Sequence, residues 1–122
     1  MGKNILSIDD SSSMRQIIKS CLEKEGFKVF EAQDGLQGLE KINSSEIFDL
    51  FLVDVNMPNM DGISFVKELR KNHQYKNTPV VMLTTESQNE KKLEGQQAGA
   101  TGWVIKPFNP EEFIKVVKRL TN

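Results

Sequence analysis

Five short apolar runs alternate along the chain with segments whose apolar residues recur at helical spacing, and this alternation confines the chain to an α/β fold. The runs are residues 5–8, 27–30, 50–53, 80–83 and 103–105. Leu50-Phe51-Leu52-Val53 and Val80-Val81-Met82-Leu83 are apolar throughout. That pattern belongs to strands buried on both faces. Between the runs, Met14, Ile17, Ile18, Cys21 and Leu22 form a stripe at i, i+3, i+4, i+7 and i+8. Ser11, Ser12 and Ser13 are its candidate caps, and Gly26 is its stop. Leu36, Leu39 and Ile42 mark a second helix. Ile63, Val66 and Leu69 mark a third, with Asp61 as its N-cap. Phe113, Val116, Val117 and Leu120 stripe a last helix, with Pro110 in its first turn.

The segment 87–97 is different. Leu93 is its one large apolar residue, and Gly95 lies inside it. A helix there buries little and loses about 1 kcal/mol at the glycine relative to alanine. It is expected to be the least firmly held element. Right-handed crossovers place helices on both faces of a parallel sheet, and a doubly wound sheet of five strands suggests the order 2-1-3-4-5.

With 122 residues the chain fits one domain, read as spanning 1–122 with no output domain. A net charge of -1 gives no basic surplus to attract nucleic acid or a membrane surface. Cys21 is the only cysteine, so an internal disulfide is impossible. Its place on an apolar stripe points to packing, not redox chemistry. The run 5–8 is too short for a signal peptide or a membrane span, and Leu6 stands where a myristoylation signal needs Ser or Thr. The reading is a cytoplasmic protein.

The chemistry gathers where the strands end. Strand 1 runs into Asp9-Asp10, strand 3 into Asp54, strand 4 into Thr84-Thr85 and strand 5 into Lys106-Pro107. Ligands of such sheets bind beyond the carboxyl ends of the strands, at the switch point between strands 1 and 3. Neighbouring strands lie about 4.8 Å apart. Asp10 and Asp54 should therefore face one crevice with Asp9 beside them. Two carboxylates about 4 Å apart repel by about 4 kcal/mol at an effective dielectric near 20. A hard divalent cation such as Mg²⁺ compensates such a cluster. Lys106 supplies a compact positive charge for a phosphoryl oxygen, and Thr84 a hydroxyl. Carboxylate nucleophile, cation, lysine and hydroxyl are the parts of aspartyl phosphorylation.

Each part alone has an ordinary reading. Paired aspartates are more often a solvated turn, an acid after a buried strand is often a turn residue, and a lone lysine usually sits on the surface. Strand-end hydroxyls such as Thr84 are common. Trp103 is more often edge-strand packing than a moving part. His73 and the charges of Glu90-Lys91-Lys92 read as surface. Convergence on one sheet edge favours function.

In these residues the sequence resembles the response-regulator receiver family. The resemblance rests on Asp9-Asp10, Asp54-Val55-Asn56-Met57-Pro58, Asp61-Gly62, Thr84, Gly99-Ala100 and Lys106-Pro107-Phe108, and it covers essentially the whole chain. It implies a flavodoxin-like receiver fold and a switch rather than an enzyme. Asp54 would be the phosphoacceptor, assisted by Thr84 and Lys106. Asp10, Asp54 and the Asn56 carbonyl would hold Mg²⁺, with Asp9 acting through a metal-bound water. It also implies a cis Lys106-Pro107 bond, a switch role for Thr84 and Trp103, and tuning of phosphate loss by Asn56 and Glu86. Within the family the chain is similar to chemotaxis regulators, with Asn56-Met57-Pro58-Asn59-Met60-Asp61-Gly62, Ser12, Met14, Arg15 and Glu86 in common. Ser11 and Trp103 depart from them, standing where phenylalanine and tyrosine are usual. The implied partners of a monomer are a histidine kinase and either a flagellar motor switch protein or a phosphotransfer protein.

Three alternatives remain at this point. One is a receiver that relays its phosphate onward. A second is a Mg²⁺-dependent phosphatase with an aspartyl nucleophile, which needs a second acid where this chain has Asn56. A third is a flavodoxin-like electron carrier, whose phosphate loop Asp9-Asp10 would repel.

Overall fold

The computed structural model describes residues 3–85 and 89–122, without the side chains of 89–91. The chain alternates strand and helix as β1 (Asn4–Ile8), α1 (Ser12–Glu23), β2 (Lys28–Ala32), α2 (Gly35–Ile42), β3 (Leu50–Asp54), α3 (Gly62–Leu69), β4 (Val80–Thr84), α4 (Asn89–Ala98), β5 (Gly102–Ile105) and α5 (Pro110–Thr121), with a short 3-10 turn at His73–Tyr75 before β4. The strands are parallel and lie in the order β2-β1-β3-β4-β5, as the alternation predicts. The chain reverses its lateral progress between β1 and β3, and the carboxyl ends of those two strands flank the crevice.

Alternate residues of each strand feed two cores. Ile5, Leu50, Leu52, Val81 and Leu83 pack against Ile18 and Leu22 of α1 and Phe113 and Val117 of α5. Leu6, Ile8, Phe51, Val53, Val80 and Met82 pack against Ile42 of α2, Phe65, Val66 and Leu69 of α3, and Ala98 of α4. The inner strands β3 and β4 are buried at every position, which is why their sequences show no polar alternation.

Helix starts follow the expected chemistry. Ser11 caps α1 by accepting from the Met14 N–H, and Asp61 caps α3 by accepting from the Ser64 N–H at 2.7 Å. Pro110 occupies the first turn of α5 behind the Asn109 cap.

Two apolar stripes are narrower than their spacing suggests. Ile17 is 49% exposed and Leu36 is 47% exposed. On α1 the buried pair is Ile18 and Leu22, an i, i+4 seam that leaves Ile17 to one side. On α2 the fully buried residues are Gly35, Gly38 and Ile42, with Leu39 partly buried against the core and Leu36 turned outward. A Cβ on Gly38 would come within 2.7 Å of Ile8 Cδ1 and 2.8 Å of Phe65 Cε1. Bare glycine lets α2 approach β1 and α3 closely, and that rotates Leu36 outward.

α4 is the weakly seated helix. Leu93 is 55% exposed, and only Gly95 and Ala98 are buried among its described side chains. Its carboxyl end is nonetheless fixed. Gly99 ends it at φ 113. The Arg70 guanidinium donates to the Gly99 carbonyl from Nε at 3.1 Å and Nη2 at 2.7 Å, and from Nη1 to the carbonyls of Tyr75 at 2.6 Å and Thr78 at 2.7 Å. One side chain thus ties α3, the 3-10 turn, the approach to β4 and the end of α4. Arg70→Met is expected to lower the unfolding free energy by about 2–3 kcal/mol, since charge-assisted hydrogen bonds are lost and half-buried carbonyls are left to water. A shifted urea midpoint at constant slope would verify this.

Candidate functional site

The carboxyl edge of the sheet brings the predicted acids and the lysine together. β1 ends at Ile8, so Asp9 and Asp10 follow at its rim, and Asp54 is the last residue of β3. Carboxylate oxygens of Asp9, Asp10 and Asp54 lie within 4.8 Å of one another. Asp9 is 1% exposed and Asp54 5%, whereas Asp10 faces solvent. Lys106 enters from the end of β5 and sets its Nζ 3.2 Å from Asp9 Oδ2 and 3.3 Å from Asp54 Oδ1. Its peptide bond to Pro107 is cis, as the resemblance implies.

The buried acid Asp9 is locked in place. Its Oδ1 accepts from the Ser11 N–H at 2.9 Å, and its backbone carbonyl accepts from Arg15 Nη1. Arg15 is itself held by Glu31 at 3.1 Å. One lysine cannot neutralise the whole cluster. Burial, and secondarily the neighbouring Asp9 carboxylate, push the Asp54 carboxyl up to about 6, although Lys106 pulls in the opposite direction. The rim therefore carries excess negative charge on convergent hard oxygens. That donor set suits a small divalent cation such as Mg²⁺, which takes one or two carboxylates and completes its shell with water or phosphate oxygens.

The neighbours of this cluster are built by backbone fit. Gly62 opens α3 directly against the Asp54 carbonyl, where any Cβ would collide, and its N–H donates to the Val55 carbonyl at 3.0 Å. Asp61-Gly62 thus caps α3 and admits it to the site edge. Thr84 ends β4 fully buried, and its carbonyl accepts from the Lys106 N–H at 2.7 Å. Asn56 lies two residues beyond Asp54 and is exposed. Trp103 of β5 lies outside the cluster, paired in register with Met82 of β4 and partly buried against the core under α4. Glu86 falls outside the described residues.

Sequence reasoning missed a link behind the site. Asn59, at φ 68, donates from its amide to Asp34 Oδ2 at 2.7 Å. Asp34 Oδ1 meanwhile accepts from the Gln37 N–H at the start of α2. These two bonds hold the Asp34 carboxyl below its ordinary value, the backbone one foremost. The clasp ties the loop after β3 to α2. Asp34-Gly35 is readable as a helix start, but a partner 25 residues away is not.

A family model described as the response regulator receiver domain matches residues 5–118, and the chain belongs to that family. It is a CheY-like receiver. Chemotaxis protein CheY-3 of Vibrio cholerae is 40% identical over 127 residues, which cover 98% of this chain and 97% of that protein. The structure of Vibrio cholerae CheY4, crystallized at pH 4.0, matches with a TM-score of 0.94 at 47% identity, covering 98% of this chain and 99% of that one. The sensor histidine kinase CheAY of Helicobacter pylori is 41% identical over 116 residues, and the chain spans 14% of its length. Among the described residues no helix is long and apolar enough to cross a membrane.

The raised Asp54 value fixes a pH dependence. A carboxyl whose folded value lies above its unfolded one adds stability below the unfolded value, and that contribution is lost as pH rises through the folded value. Without metal, Asp54→Asn should therefore be near neutral at pH 3 to 4 and stabilising at pH 7 to 8, on the order of 2 kcal/mol after allowance for solvent screening. Denaturant titrations at both ends of that window, with chelator present, measure it. Added Mg²⁺ should stabilise the parent protein and leave Asp54→Asn nearly unaffected.

Proposed function

We propose that the chain is a response regulator, residues 1–122 acting as one receiver domain, phosphorylated on Asp54 by a histidine kinase of the CheA type. The observation that carries this reading is the Lys106 ammonium seated between Asp9 and Asp54. It leaves Asp54 a buried, crowded carboxylate whose charge is poorly compensated. Such a group gains from conversion to an acyl phosphate held by a cation and an ammonium.

In the proposed site Asp10, Asp54 and the Asn56 carbonyl would hold Mg²⁺ with Asp9 beside them, and the ion would supply charge neutralisation at the phosphoryl oxygens. Asp54 provides the attacking oxygen. Lys106 is already within hydrogen-bond range of it and binds one oxygen of the transferred group. The Thr84 hydroxyl binds another, so the buried end of β4 follows the phosphoryl group. Asn56 and Glu86 tune the loss of phosphate. Trp103, with a weakly seated helix above it, turns toward the vacated space. A phosphoryl group need favour the active form by only about 3 kcal/mol to move a population from a minority to a majority.

The output is binding, not turnover. An amide at Asn56 cannot serve as the general acid of an aspartyl phosphatase. The chemotaxis relatives that match along nearly their whole length support a role in chemotaxis, and in this reading a cytoplasmic monomer controls a flagellar motor switch protein. The same site would also serve a phosphorelay intermediate.

With Mg²⁺ and acetyl phosphate, intact-mass spectrometry should show one added phosphoryl group. Asp54→Asn should abolish it, and Lys106→Met should slow it by about tenfold or more, the loss of one charge-assisted hydrogen bond. Phosphate on another residue in the unmodified chain would end this reading. Capture of a motor switch protein by the phosphorylated form alone distinguishes motor control from phosphorelay.

A further inference from the structure

The loop after β3 turns on Asn59. Its φ of 68 lies in the left-handed region, and the Met60 N–H donates across it to the Pro58 carbonyl at 2.7 Å. A three-residue turn of that hand is rare and strained. Such backbone persists where its surroundings over-determine it, and it gathers at functional sites. Glycine would adopt the turn freely, yet this position carries a side chain. What asparagine has and glycine lacks is the amide, which donates to Asp34 Oδ2 at 2.7 Å.

The start of α2 grips this turn at two points. Asp34 is buried and divides its oxygens, Oδ1 accepting from the Gln37 N–H and Oδ2 from Asn59. Capping α2 needs only one oxygen, and serine would cap nearly as well. The second oxygen serves the loop. Next to it Gly35 lies against Met60, where a Cβ would come within 2.7 Å of Met60 Cγ. The neck of the loop is closed by the Gly62 N–H, which donates to the Val55 carbonyl at 3.0 Å. Asn56 lies between neck and turn.

We infer that Asp34 is a positioning residue for the candidate cation site, acting through Asn59 on the loop that carries the Asn56 carbonyl. The inference rests on the proposed use of that carbonyl as a ligand. A side-chain ligand can swing about its own torsions, but a carbonyl points where its loop points. Mg²⁺ demands near-ideal octahedral geometry at about 2.0–2.1 Å, so a small drift of the loop forfeits affinity. Groups that orient a ligand from behind typically govern about 10–100-fold in metal affinity.

Three variants separate the clasp from the cap and from charge. Asp34→Ser keeps a cap oxygen but is too short to reach the loop. Asn59→Gly removes the amide, keeps the turn accessible and leaves the net charge unchanged. Asp34→Asn keeps an oxygen for Gln37 and offers an NH₂ to a reoriented Asn59 amide. Mg²⁺ titration followed by amide NMR shifts reads affinity, and hydrogen exchange without metal reads the backbone between Asn56 and Met60. Asp34→Ser and Asn59→Gly should each bind Mg²⁺ about tenfold more weakly and exchange faster in that stretch. The double variant should be no worse than the weaker single one, because both remove the same bond. Asp34→Asn should recover most of the loss. Far-UV circular dichroism confirms that each variant is folded.

Parent-like exchange and affinity in Asn59→Gly would overturn the inference. Affinity lost in both Asp34 variants but kept in Asn59→Gly would reduce the effect to charge and overturn it too. A lowered urea midpoint with unaltered Mg²⁺ affinity would leave the clasp a structural tie and nothing more. Parent protein that takes up no Mg²⁺ would sink the proposed cation site and the functional half of this inference with it, while the exchange comparison would still decide whether Asp34 fixes the loop.

Discussion

The structure turns on one ammonium group placed between two buried carboxylates. Lys106 Nζ meets Asp9 and Asp54 at 3.2 and 3.3 Å, and the three side chains come from the ends of β5, β1 and β3. No local segment of chain can assemble them. Only a parallel sheet with β1 beside β3 turns the carboxyl ends of all three strands to one edge. The arrangement is electrostatically incomplete by construction, because three acids face one lysine. A protein selected for stability alone would replace such a group with apolar contacts or a balanced pair. Here the imbalance persists at a continuous cost in folding free energy, and under the proposed function it would make a phosphoryl group and its cation welcome.

The fold was legible in the sequence because its signals are local and redundant. Runs such as Leu50-Phe51-Leu52-Val53 suit a doubly covered strand, and the Asp61 cap and Pro110 announce their helices within three residues. The acids and lysine of the site were legible because strand ends in a known order become neighbours. Helix faces were less so. The exposed Ile17 and Leu36 satisfy the right spacing, but the true face of α2 is written in Gly35 and Gly38, residues that carry no hydrophobic signal.

Long-range side-chain contacts were not legible. Arg70 reads as an ordinary surface residue after an amphipathic helix, yet it joins carbonyls from three segments. Asn59 and Asp34 are likewise ordinary loop and cap residues until the fold brings them together. Sequence also weighted Asp10 and Asp54 as the facing pair. The structure adds that Asp9 is the buried partner of Lys106, locked by the Ser11 N–H and by Arg15. The direction in which each acid points depends on the turn after β1, which composition does not encode.

The carboxyl end of α4 is clamped, and mechanics follows from that clamp. The Arg70 guanidinium clamps the Gly99 carbonyl and is itself braced by the carbonyls of Tyr75 and Thr78, while the helix offers the core only Gly95 and Ala98 among its described side chains. A rod pinned at one end moves most at the other. Ten residues of helix span about 15 Å, so a tilt of about 10° about the pin carries the far end roughly 2–3 Å. The far end is the one nearest the strand that stops at Thr84. Arg70 stands at the pivot of such a tilt, and under the proposed function the rigidity it confers on one turn would convert a small push at the sheet edge into a displacement large enough for another molecule to feel.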